Sequence, residues 1–168
     1  MMLLVCLVLV ASVVSVISLL AKNRSPNLSI GDQVTPVNLT TFDGENLMTG
    51  EMTGKVILIN FWASWCDSCS SEAQILEQAW ERYRDPGNVV FLGVDYKDSI
   101  SEAKNYLYKY DILYPNGPDS NYQIGQALRL QGVPETYVID RNGKLAYKKL
   151  GPFPSLEAIS LVIDPLLK

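Results

Sequence analysis

The chain has 168 residues, with 14 Lys and Arg against 18 Asp and Glu, a net charge of −4 and no histidine. That balance, with no run of basic residues, argues against a nucleic-acid surface. The missing histidine excludes Ser-His-Asp and Cys-His nucleophile pairs, histidine-ligated zinc and histidine-ligated haem, and cysteine chemistry is among the few enzyme chemistries left.

Residues 1–21 carry no charge, and Leu3 to Leu20 is interrupted only by Ser12, Ser15 and Ser18. A helix needs about 20 apolar residues to cross a bilayer core, whereas the apolar part of a cleaved signal is about 7–15 residues. Leu19-Leu20-Ala21 is also a poor cleavage site, so an uncleaved transmembrane anchor is expected. Lys22 and Arg24 follow it, and by the positive-inside rule alone the remainder would be cytoplasmic. Residues 22–29, with Pro26, read as a linker, and residues 30–168 as one domain.

Within that domain, Thr41-Phe42-Asp43-Gly44-Glu45 predicts the turn of an N-terminal hairpin. Val56 to Trp62 is a continuous apolar, β-branched run, the mark of a strand buried on both faces. After Cys69, Ile75, Leu76, Ala79, Trp80 and Tyr83 recur at helical spacing, with Glu72, Glu77, Glu81 and Arg82 expected to face water, until Pro86-Gly87. Val89 to Val94 predicts a second buried strand, and Ile100, Ala103, Leu107 and Tyr110 a second helix. Asn116-Gly117-Pro118 reads as a loop, followed by a short helix through Ile124, Ala127 and Leu128. Tyr137–Asp140 and Leu145–Leu150 flank an Asn-Gly turn, and Pro154-Ser155 opens a last helix. The order predicts an α/β fold with a mixed central sheet flanked by helices.

The chemistry concentrates in Trp65-Cys66-Asp67-Ser68-Cys69, at the junction of the first buried strand and its helix. Two cysteines three apart on a first helical turn can reach disulfide range, and the free N–H groups there stabilise a thiolate. Cys66 is therefore expected to be the exposed nucleophile and Cys69 the buried resolving thiol. A zinc site would need two more ligands, and the remaining cysteine, Cys6, lies in the apolar segment, so no metal or cofactor is expected. A static disulfide closing so short a loop would stabilise little.

Phe61 to Cys69 resembles the active-site signature of the thioredoxin superfamily. Gly54-Lys55, Asn60 and Glu72 narrow the likeness to the TlpA/ResA/CcmG group, and Gly132-Val133-Pro134-Glu135-Thr136 resembles its cis-proline loop, most closely in the CcmG (DsbE) branch. Gly93 to Asp98 is similar as well. The likeness spans about residues 30 to 160. It implies a thioredoxin-like fold and a membrane-anchored thiol-disulfide oxidoreductase with an extracytoplasmic domain. It further implies protein disulfide substrates, apocytochrome c among them, and a membrane electron donor of the CcdA/DsbD type. Those family traits outweigh the two basic residues in setting orientation.

By the same likeness, Pro134 is cis and opposite Cys66, leaving the Val133 backbone for a substrate strand, with Trp65 and Glu135 also at the substrate site. Thioredoxins proper have an Asp where this chain has Asn60, which cannot accept a proton. Glu72 occupies the family's buried-acid position, with Glu135 a second candidate for the Cys69 proton. A solvated helix face remains the other reading of Glu72. Two departures stand out: Ser68 replaces the usual proline, and Asp67 sets a negative charge beside Cys66. A peroxiredoxin-like peroxidase is disfavoured by Ala63 and Ile59, and a non-catalytic tethered adaptor by the presence of both Cys66 and Cys69.

Overall fold

The computed structural model describes residues 28–168, so the expected anchor and most of the linker lie outside the described residues. Among the described residues, no helix is long and apolar enough to cross a membrane. The chain opens on a small hairpin of β1 (Asn38–Thr40) and β2 (Asn46–Met48), turned where Thr41 to Glu45 predicts. It then runs through β3 (Val56–Trp62), α1 (Asp67–Tyr83), β4 (Val89–Asp95), α2 (Ile100–Lys109) and β5 (Asn116–Pro118). α3 (Gln123–Leu128), β6 (Glu135–Ile139), β7 (Leu145–Leu150) and α4 (Leu156–Ile163) complete it.

Five strands form the main sheet in the order β5-β4-β3-β6-β7. β3 runs parallel to β4 and antiparallel to β6, so the sheet is mixed and β3, buried throughout, is its centre. Alternation along β3 sorts its side chains to two cores. Val56, Leu58 and Trp62 join Leu76 and Ala79 of α1, Tyr106 of α2 and Ile159 of α4. Ile57, Ile59 and Phe61 face the other way, onto Leu39, Ile124 and Leu128. The last helix starts where Ser155 accepts the Ala158 N–H, an N-cap that matches the Pro154-Ser155 signal.

Two expectations are corrected. Asn116-Gly117-Pro118 is an edge strand rather than a loop, in register with Gly93 to Asp95. Its turn-forming residues hide a pairing only three residues long, and Pro118 is tolerated at a sheet edge. Asn116 is buried and accepts the Trp62 indole N–H at 2.7 Å. Gly93 makes room for it, since a Cβ there would stand 1.7 Å from Asn116 Oδ1. Glu77, expected to face water, is buried, and its carboxylate accepts the Leu113 N–H at 2.8 Å.

Candidate active site

At the end of β3 the backbone turns through Ala63 and Ser64 and enters α1. Cys66 is the N-cap of that helix: its sulfur accepts the Cys69 N–H at 3.1 Å, taking up one of the donors that a helix start leaves unpaired. Cys66 and Cys69 are joined as a disulfide with their Cα atoms 5.2 Å apart. Neither sulfur-bearing residue is open to solvent as expected for Cys66, which is 7 % exposed against 1 % for Cys69. Asp67 is on the exposed side of the same turn.

Behind Cys69, one turn along α1, Glu72 is 1 % exposed and belongs to the interior rather than to a solvated face. Its Oε1 accepts from Asn60 Nδ2 at 2.9 Å, and its Oε2 accepts the Phe153 N–H at 2.7 Å. Asn60 also donates to Thr136 Oγ1 at 3.0 Å, linking β3, β6 and the acid. Burial raises the Glu72 pKa to about 7, against the lowering pull of the Phe153 and Asn60 hydrogen bonds and the Lys149 charge. A carboxyl poised near neutrality, one turn from the buried cysteine, can take and return a proton at working pH.

The Val133–Pro134 peptide bond is cis, as the resemblance implies. Val133 packs against the cluster that contains Cys66 and Cys69, and among the described residues neither its N–H nor its carbonyl takes part in a backbone hydrogen bond. Glu135 goes elsewhere. Thr136 meets Asn60 on the Glu72 side, and β-strand alternation turns Glu135, with Tyr137, to the opposite face. There its carboxylate, 1 % exposed, pairs with Lys148 at 2.7 Å, receives the Tyr137 hydroxyl and accepts the Gln131 N–H at 3.0 Å. The structure therefore brings Cys66, Cys69, Glu72 and the Val133–Pro134 loop together and keeps the Glu135 carboxylate apart, as a tie across the loop it follows.

Trp65, 60 % exposed, stands beside the disulfide. Its ring meets Tyr96 edge-on at 6.3 Å, and Tyr96 lies 5.3 Å from Tyr122. Asp98 accepts the Ser64 N–H at 2.6 Å and so pins the turn that leads to Cys66. Sequence reasoning missed Lys149, Phe153 and Asp98 as neighbours of the site. Nothing in their local pattern marks them, because each acts across the fold. Among the described residues, no group of His, Cys, Asp and Glu is placed to hold a metal ion.

A sequence model of the family described as Redoxin matches residues 25–161 of this chain. The thiol:disulfide interchange protein DsbE of Pseudomonas fluorescens biotype C is 33% identical over 128 residues, 75% of this chain and 69% of that one. A thiol-disulfide oxidoreductase ResA of Bacillus cereus is 25% identical over 124 residues, 74% of this chain and 71% of that one. Among solved structures, a putative thiol:disulfide interchange protein DsbE from Chlorobium tepidum superposes with a TM-score of 0.74 at 26% identity, covering 84% of this chain and 99% of that one.

Proposed function

Since the chain belongs to the Redoxin family and is a thioredoxin-like thiol-disulfide oxidoreductase, we propose that it works as a reductant of protein disulfides outside the cytoplasm. In this reading, residues 1–21 anchor it in the membrane, and a membrane dithiol donor of the CcdA/DsbD type keeps it reduced. Apocytochrome c is the substrate class that the DsbE and ResA likeness suggests. The observation that carries the dithiol–disulfide exchange is Glu72, a buried acid with no salt bridge among the described residues, set one turn behind the resolving cysteine. The reducing direction follows from the DsbE and ResA likeness.

The steps follow from that geometry. The Cys66 thiolate, favoured by the N–H groups of the α1 start, attacks one sulfur of the substrate disulfide. A Cys66–substrate disulfide forms, and the other substrate sulfur leaves as a thiolate. The Val133 N–H and carbonyl, unpaired within the backbone, hold the substrate strand during this exchange. Glu72 then takes the Cys69 proton, and the Cys69 thiolate attacks the Cys66 sulfur. The second substrate sulfur departs, so the substrate gains two electrons and Cys66–Cys69 loses them. Glu72 returns its proton when the disulfide is next reduced.

Cys69→Ser removes the resolving thiol without adding bulk, so the mixed disulfide should persist. Cells producing that variant should accumulate adducts on non-reducing gels that vanish with reductant and require Cys66. Extracytoplasmic proteins with paired cysteines, apocytochrome c included, should be found in them. A trap holding only cytosolic proteins would refute the compartment, and an empty trap would refute the reductase.

A further inference from the structure

The rim beside Cys66 is built in an unusual way. Lys97, Asn121 and Tyr122 all hold left-handed backbone, with φ of 65°, 60° and 63°. Such geometry is uncommon outside glycine and persists where the surroundings enforce it. These strained residues lie on two loops, one after β4 and one after β5, and the loops converge on a single ledge. The Tyr122 hydroxyl donates to Tyr96, whose pKa is lowered by that bond. The Lys97 ammonium sits 5.0 Å from the Tyr96 ring centre and 5.3 Å from that of Tyr122. Trp65 closes the ledge on the Cys66 side.

Charge separates the ledge from its surroundings. The nearby carboxylates turn inward: Asp98 accepts the Ser64 N–H, and Asp119 accepts those of Ile124 and Gly125. The Asp67 charge acts on Tyr110, the residue that caps the end of α2. Lys97 pairs with no carboxylate among the described residues; its exposed ammonium rests on the Tyr96 and Tyr122 rings, where an incoming carboxylate can meet it.

Topology says what that is. β3 lies between β6 and β4, so Cys66 has the Val133 loop on one side and the ledge on the other. Neighbouring strands are about 4.8 Å apart and an extended residue spans about 3.3 Å. A substrate strand held at Val133, with its cysteine at Cys66, reaches the ledge with its second or third residue beyond that cysteine. We propose that Lys97, on the Trp65–Tyr96–Tyr122 ledge, selects protein disulfides with an acidic side chain two or three residues from the attacked cysteine.

The inference rests on the reductase reading, and the test separates the two. Full-length protein is given three disulfide-linked peptides that differ only in Glu, Gln or Lys at those positions. Wild type should favour the Glu peptide over the Lys peptide about three- to fivefold in kcat/KM, the scale of an exposed ion pair. Lys97→Glu should invert that order, Lys97→Met should level it, and high salt should erase it in both charged forms. Equal rates for the three peptides, a preference for Lys, or an order unchanged in Lys97→Glu would overturn the ledge alone. A wild type that reduces none of them would sink the reductase reading and the ledge with it.

Discussion

Glu72 and Glu135 are equally buried, each 1 % exposed, and they sit on opposite faces of the same sheet. Their fates differ because their partners differ. Glu72 receives two neutral hydrogen bonds and, among the described residues, no salt bridge, and the Lys149 charge is the least of the pulls on it, so burial dominates and its pKa rises to about 7. Glu135 has the Lys148 ammonium at 2.7 Å, a tyrosine hydroxyl and a backbone N–H. The Tyr137 hydroxyl is held protonated, its pKa raised by burial and then by its bond to Glu135 and that group's charge. Depth alone does not make an acid-base group; a missing counter-charge does. In the proposed exchange one carboxylate relays a proton, while the other ties Lys148 and Gln131 in a brace across the loop before Pro134.

The most direct way to break the contrast is to remove the brace's cation. Lys148→Met leaves Glu135 buried without its charge partner, and stability should fall by about 3 kcal/mol at pH 8. Denaturant unfolding of the oxidised protein reads that loss. A loss below about 1 kcal/mol would show that Lys148 acts as an ordinary surface ion pair rather than as the brace's counter-charge. Its Nζ also lies 5.0 Å from the Tyr137 ring centre.

Much of this was legible beforehand, and the gaps have a physical pattern. The strand Val56–Trp62, the helix after Cys69, the cis Pro134 and the hairpin β6–β7 are all written in local signals of period, turn chemistry and motif. β5 was not, because three residues reading Asn-Gly-Pro become a strand through Gly93 and Trp62 far along the chain. The two readings of Glu72 could not be separated by helical spacing, since the deciding donor, Phe153 N–H, lies 81 residues away. Glu135 was placed near the chemistry by motif, while alternation from Thr136 turns it away.

Glu72→Gln sharpens the contrast from the other side. The folded protein keeps the Glu72 proton between pH 4.5 and about 7, where the unfolded chain has released it. Stability therefore falls as pH rises through that window, by about 3 kcal/mol for this group, and its contribution is flat outside it. The Gln variant should lose that share of the slope. Its disulfide exchange should also slow, by about 100-fold if the proton transfer is general-base catalysed, with the inflection near pH 7 gone. An unchanged pH–rate profile together with the lost stability slope would make Glu72 a buried acid without a part in exchange.

The smallest expected effect concerns the two cysteines, which differ in the same sense as the two acids. Cys66 caps the helix, where the N–H groups of the first turn favour a thiolate, and it is the more exposed of the pair at 7 %. Cys69 is covered, and in the proposed exchange its proton leaves toward Glu72, whose pKa is raised to about 7. Asp67 works against this order by placing a negative charge next to Cys66. The helix start should still prevail, because Asp67 is exposed and screened by solvent whereas the Cys69 N–H points at the Cys66 sulfur from 3.1 Å. In the reduced protein at pH 7, a small alkylating agent should modify Cys66 about tenfold faster than Cys69, because the first-turn N–H groups favour the Cys66 thiolate and Cys69 is covered. Asp67→Asn should widen that ratio. Mass mapping that finds Cys69 labelled first, in either protein, would exchange the roles of nucleophile and resolving thiol and remove Glu72 from the resolving step.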